Sequence, residues 1–204
     1  MNMSERWVPW IAVLLVSLIT AAGCGNDSES GAEATTSERT QASSTEAATP
    51  VLIGSWHRAQ ACAEMLAAFD EAGLAESHRG WLQGNFYGGK PGPKEGNPCA
   101  GAEGPLEHDH FFTADGAFGS HDQNGEEVDG GDFEPVDGDT VSFPSHAEEF
   151  GYDGDLVVDY TVSGDVVTFE VALPSPCVDT CADAYAWALS AFASGPWERG
   201  EVPV

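Results

Sequence analysis

His108-Asp109-His110 sets two imidazoles two residues apart. On a β-strand, positions i and i+2 face the same side, so both rings can reach one metal ion. His121, His57 or Glu107 would then supply a third ligand. The bland alternative is a solvent-facing strand among acids, and one His-any-His pair commits no metal. Three acidic turns, Asp129-Gly130-Gly131-Asp132, Asp137-Gly138-Asp139 and Asp153-Gly154-Asp155, offer oxygens to calcium. None has the spacing of an EF-hand loop or its terminal bidentate Glu, and turn chemistry alone accounts for them. No Gly-any-Ser-any-Gly elbow occurs. Ser145 and His146 are adjacent in sequence, which does not bring a base onto a nucleophile. No catalytic constellation assembles, so no catalytic residue and no cofactor is assigned.

Cysteine carries the next chemistry. There are five: Cys24, Cys62, Cys99, Cys177 and Cys181. Cys24 follows an export-like segment. Arg6 precedes Trp7 to Gly23, which carries no charge and ends in Thr20-Ala21-Ala22-Gly23. The run is a little short for a membrane span, which needs about 20 apolar residues, and its small-residue end suits cleavage. An uncleaved anchor helix and ordinary secretory cleavage are the alternatives. Setting Cys24 aside leaves an even set, Cys62, Cys99, Cys177 and Cys181, which an oxidising compartment can pair into disulfides. The pairing stays open. The four-residue spacing of Cys177 and Cys181 closes a small loop but fits poorly inside a regular helix. A zinc site is the rival, and these spacings lack its paired knuckles.

Composition bounds the partners. The chain has 204 residues, 34 acidic and 7 basic, for a formal charge of -27. That excludes a phosphate-tracking surface, so no nucleic acid is expected. It also disfavours docking on anionic lipid through basic patches. A basic protein partner stays open, since an acidic face would steer it in. Apolar residues make up 42%, enough for a core. Residues 24–50 are rich in Ser, Thr, Ala and Glu without an aromatic, the composition of a solvated tether.

The folded domain is expected over 51–204. Val51 to His57 reads as a first strand. Cys62, Met65, Leu66 and Phe69 then fall on one helical face, and Ala75 to Leu82 reads as a second short helix. Tyr87 to Pro105 is a Gly/Pro-rich loop. After Pro105 the pattern alternates. Strands are expected at Leu106–Thr113, Ala117–His121, Asp132–Val136, Asp139–Pro144, Leu156–Val162 and Val166–Leu173, with Asp-Gly and Gly turns as hairpin signals. Ala182 to Phe192 fits helix or strand. A short helix near 179–186 and a last strand at Trp197–Arg199 are favoured. The expected class is mainly β with a helical insertion at about 59–105: an antiparallel meander of about eight strands that closes into a barrel. Trp56, Phe69, Trp81, Phe112, Phe133, Tyr160, Phe169, Trp187 and Phe192 are most simply core.

These residues resemble the lipocalin-like (calycin-type) small barrels. Gly54-Ser55-Trp56 is similar to their opening Gly-any-Trp. The runs around Ala114-Asp115-Gly116, Val136-Asp137-Gly138 and Ser163-Gly164-Asp165 resemble their hairpins, and Trp197-Glu198-Arg199 their closing strand. The resemblance implies that Arg199 packs on Trp56, a contact worth about 0.5–2 kcal/mol. Ala22-Gly23-Cys24 resembles the bacterial lipoprotein signal, although Ala21 stands where Leu is usual. That resemblance implies a palmitate-type lipid on Cys24 and a cell-envelope protein anchored in the membrane, facing the extracytoplasmic side. A small apolar ligand in the barrel interior is the expected function. A structural or interaction module with a filled core is the alternative, and metal binding through His108 and His110 a further one. The insertion at 59–105 departs from a minimal barrel and is placed to fill or cover its mouth.

Overall fold

The computed structural model describes residues 51–88, 90–193 and 195–200. The export segment 1–23, Cys24 and the tether through residue 50 lie outside the described residues. In chain order the elements are β1 (Gly54–Gln60), α1 (Cys62–Glu71), α2 (Arg79–Phe86), β2 (Leu106–Phe112), β3 (Ala117–Asp122), β4 (Glu127–Asp132), β5 (Glu134–Pro135) and β6 (Thr140–Ser142). Then follow α3 (Pro144–Glu149), β7 (Val157–Ser163), β8 (Val166–Glu170), α4 (Thr180–Phe192) and β9 (Trp197–Arg199).

The strands form one antiparallel sheet of nine in the order β4-β3-β2-β1-β9-β8-β7-β6-β5. Its two edge strands are neighbours in the chain, separated only by Phe133. β4 pairs with β3 and β5 with β6, and the Phe133 N–H donates to the Gly116 carbonyl at 2.8 Å. One bent stretch therefore serves both edges, and the sheet curls into a nearly closed barrel. Closure removes the long exposed edges of an open sheet. The β7–β8 hairpin turns on Gly164-Asp165, with Ser163 opposite Val166. Gly164 sits at φ +62°, the backbone region such a two-residue turn demands.

β1 begins at Gly54, three residues later than expected, and runs on to Gln60. Its limits follow β2, with Gly54 opposite Phe112 and Gln60 opposite Leu106. Trp56 and Arg199 are cross-strand partners. The guanidinium carbon lies 4.1 Å from the centre of the fully buried indole, and Nη1 donates to the Ile53 carbonyl at 3.3 Å. Gly54 makes this approach possible, because a Cβ there would stand 2.6 Å from Arg199 Nη1.

Two elements escape the sequence pattern. β4 reads Glu-Val-Asp-Gly-Gly-Asp and carries none of the usual strand preference. It forms because β3 would otherwise be left with an unpaired edge. α3 replaces the end of the expected strand Asp139–Pro144. Pro144 opens it, where a missing N–H costs nothing. A third difference is one of position: α2 lies four residues beyond the expected start, with Leu82 and Phe86 buried.

α4 settles as one helix of 13 residues. Tyr185, Trp187, Ala188 and Phe192 pack with Phe112, Phe118, Phe143 and Phe169 of the barrel. Ala182, Ala186 and Leu189 pack instead against Met65, Phe69, Leu82 and Phe86 of α1 and α2. The helix is covered on both sides, so it lacks the polar stripe that makes helical periodicity visible. Its aromatic residues occupy the barrel interior.

The disulfides are Cys62–Cys99 and Cys177–Cys181. The first ties α1 to the loop before β2. The second spans the start of α4 with only Cys181 inside the helix, so the tight spacing never meets helical geometry on both sides. The sequence separations are 37 and 4. Loop-entropy scaling assigns roughly 4 kcal/mol to the longer closure and roughly 2 kcal/mol to the shorter. Urea unfolding of the paired Cys→Ala variants is expected to give that ranking, with Cys62→Ala/Cys99→Ala the more damaging.

Candidate functional site

A cleft of about 450 Å³ opens where the ends of β1–β4 and β9 meet α2, α3 and α4. Strand alternation brings His108 and His110 to its wall from β2, and Ser120 joins them from β3. Asp129 comes from β4, Trp81 from α2, and Trp187 from α4. Trp197 of β9 completes the floor.

His110 is 2% exposed. Its ring centre stands 4.2 Å from that of Trp197 and 5.4 Å from those of Phe118 and Phe192. Its Nδ1 is wholly buried and has no hydrogen-bond partner among the described residues. Trp197 Nε1 is buried and unpartnered as well. Burial pushes the His110 imidazole down to about 3; the neighbouring His108 acts the same way and Asp129 opposes it. Burial also lowers His108, partly offset by Asp122 and Asp109. Both rings are therefore neutral near pH 7 and present lone pairs rather than charge.

Asp129 organises the opposite wall. Its Oδ1 accepts from His146 Nε2 at 3.1 Å and from the Gly130 N–H at 2.9 Å. Its Oδ2 accepts from Trp187 Nε1 at 2.7 Å. Burial alone would raise this carboxyl, but the donors from His146, Trp187 and Gly130 outweigh it and hold the group below the usual carboxylate range. The His146 imidazole stacks on the Trp187 indole, with centres 3.8 Å apart and planes inclined by 19°. A fixed negative charge thus stands beside imidazoles and indoles.

The structure separates the residues proposed for a metal. His57 and His121 lie on the outer face of the sheet, where His57 Nδ1 pairs with Asp109 at 3.0 Å and His121 stacks on Phe111. His108 and His110 face inward, their ring centres 6.3 Å apart. Glu107 points outward by alternation and touches only the cleft rim. Among the described residues no three His, Cys, Asp or Glu side chains converge as metal ligands. Asp129-Gly130-Gly131-Asp132 is strand rather than turn. Asp137 and Asp139 close the β5–β6 turn, the Asp139 N–H donating to Asp137 Oδ1 at 3.2 Å. Asp153 and Asp155 lie in the loop between α3 and β7. Ser145 Oγ accepts from the Asp132 N–H rather than meeting His146.

Sequence reasoning named Asp129 only as a turn oxygen for calcium and His146 only as a neighbour of Ser145, and it missed that the two meet with Trp187. Asp129 was hidden in a stretch that looks like a turn. A second polar chain was equally invisible. Ser77 Oγ lies 2.9 Å from His78 Nδ1, and His78 Nε2 lies 3.1 Å from Asp183. The order matches that of an acyl-transfer triad. Ser77 Oγ, however, is also 3.2 Å from the Leu74 carbonyl, and Asp183 is largely in water. The chain fastens the α1–α2 turn to α4.

No protein-family model, curated protein or solved structure matches this chain.

The depressed His110 value has a consequence for stability. Between the unfolded value of 6.5 and about 3, the unfolded chain binds a proton that the folded one refuses. The stabilisation is fully present above that window and is lost as the pH falls through it. Between pH 7.5 and 5.0 the loss from this residue is about 2 kcal/mol. Urea unfolding at those two pH values should show His110→Gln with a pH dependence flatter by that amount. Equal slopes in the two proteins would refute the buried neutral imidazole.

Proposed function

We propose that this protein is an exported, lipid-anchored binding protein that holds a small ligand in the cleft at the mouth of its barrel. The cleft itself carries the reading: about 450 Å³ of room, walled by Trp81, Trp187 and Trp197, with a few fixed polar groups. Such a mixture is typical of small-molecule sites. His110 and Trp197 hold polar atoms that the protein leaves without partners, and an unpaired buried polar group costs about 1–3 kcal/mol. Aromatic side chains of α4 fill the barrel interior, so the ligand belongs at the mouth rather than deep inside. The placing of Arg199 over Trp56 supports kinship with lipocalin-like barrels. The disulfides suit an oxidising compartment outside the cytoplasm.

The filled interior favours a second reading: an interaction module whose acidic surface docks a basic protein. The two separate on binding. A neutral naphthylamine dye, which brightens in apolar surroundings, is expected to bind the full chain saturably at one site. Ala191→Phe, which fills the cleft from α4, is expected to reduce that binding at least tenfold while leaving the urea midpoint nearly unchanged. No saturable binding by the wild-type chain would leave the interaction module as the better account.

Anchoring has its own test. Radiolabelled palmitate fed to an expressing bacterium is expected to label the wild-type protein and not Cys24→Ala. Unlabelled wild-type protein in the soluble fraction would overturn the anchor and leave the cleft untouched.

A further inference from the structure

Four carboxylates, Glu107, Asp122, Asp129 and Glu149, lie along the cleft, and none of its described lining residues is lysine or arginine. The basic-looking side chains present are His108 and His110, both kept neutral by burial. We propose that the cleft selects an organic cation: a protonated amine carried on an apolar, aromatic-sized body. The proposal rests on the reading of the cleft as a ligand site and names the class of ligand.

Three features of the wall fit that chemistry together. An ammonium group brings donors and no acceptors. The wall answers with acceptors: the Asp129 carboxylate, already oriented by His146 and Trp187, and the single acceptor nitrogen of the neutral His110 imidazole, a ring that lines the cleft. At the rim, half-buried Trp81 and Phe150 hold their rings 5.9 Å apart and tilted by 57°. Aromatic faces attract a cation through the ring quadrupole. Indoles and Phe rings also accommodate the apolar remainder of such a molecule. An anion of the same shape meets four like charges, which oppose it through the same Coulomb term that favours the amine.

Three shape-matched probes decide the question on the purified full chain by calorimetry: phenethylammonium, its neutral counterpart phenethyl alcohol, and the anion hydrocinnamate. The cation is expected to bind at least tenfold more tightly than the alcohol, with no measurable binding of the anion. Glu107→Gln/Glu149→Gln removes two exposed carboxylates that hold no described partner. It should weaken the cation about threefold to tenfold and leave the alcohol unchanged. Equal affinity for cation and alcohol, or tighter binding of the anion, overturns the cation class while the cleft stands as a binding site. If all three fail while the naphthylamine dye binds, the cation class falls alone. If the dye fails as well, the binding reading falls with it.

Discussion

The two-sided burial of α4 is the constraint on which the rest of this structure depends. Its residues are apolar nearly all the way round, and every one from Cys181 to Leu189 except Asp183 is buried. A helix of that kind is stable only if one layer covers each face. The curled sheet covers the face of Tyr185, Ala188 and Phe192. The insertion between β1 and β2 covers the face of Ala182, Ala186 and Leu189. What reads as an extra module beside a barrel is therefore the second half of one core.

The cleft follows from where that covering stops. Around Trp187 the aromatic shell gives way to Asp129, His146 and Ser190, and the strand ends there carry His108 and His110 instead of Val or Leu. A carboxylate can stand at this depth only because it is well supplied with donors. A buried charge without them costs far more than the hydrogen bonds return. Trp187 links both regimes, with its ring packed among Phe118, Phe143 and Phe192 and its N–H given to Asp129. The same indole thus closes the hydrophobic core and aims the charge at the cleft.

Legibility in the sequence tracked how local the determining physics was. The hairpins at Asp115-Gly116 and Gly164-Asp165 were readable because turn residues and alternation lie within a few positions of each other. α1 was readable because only one of its faces is buried. β4 was not: Gly130 and Gly131 are poor strand residues, and their state is decided by the free edge of β3, far from them in any local window. α4 was ambiguous because full burial erases periodicity. The site suffered most. His110 stood out through its spacing to His108, but its meaning changed once Trp197 and Phe192 enclosed it. Asp129 lay in an apparent turn, and its partners His146 and Trp187 are 17 and 58 residues away.

The uneven distribution of cross-links completes the argument. Both disulfides lie in the helical layer, and none joins two strands. The barrel needs none, since its strands are tied by continuous ladders and closed through Phe133. The helices are less well supplied. α2 contains Gly80 and Gly84, and neither α2 nor α4 has a side-chain cap at its start; only α1 gains a cap-like bond, with Glu64 accepting from the Ala61 N–H at 2.8 Å. Yet α2 supplies Trp81 to the cleft and α4 supplies Trp187. Each weak point has its own fastening. Cys62–Cys99 anchors α1 and the loop against which α2 rests, Cys177–Cys181 braces the first turn of α4, and Ser77-His78-Asp183 joins the two helices across the turn. The covalent bonds thus hold the wall of the cleft that secondary structure alone holds least well, and the ordering of the site and the oxidation of the chain become one physical question.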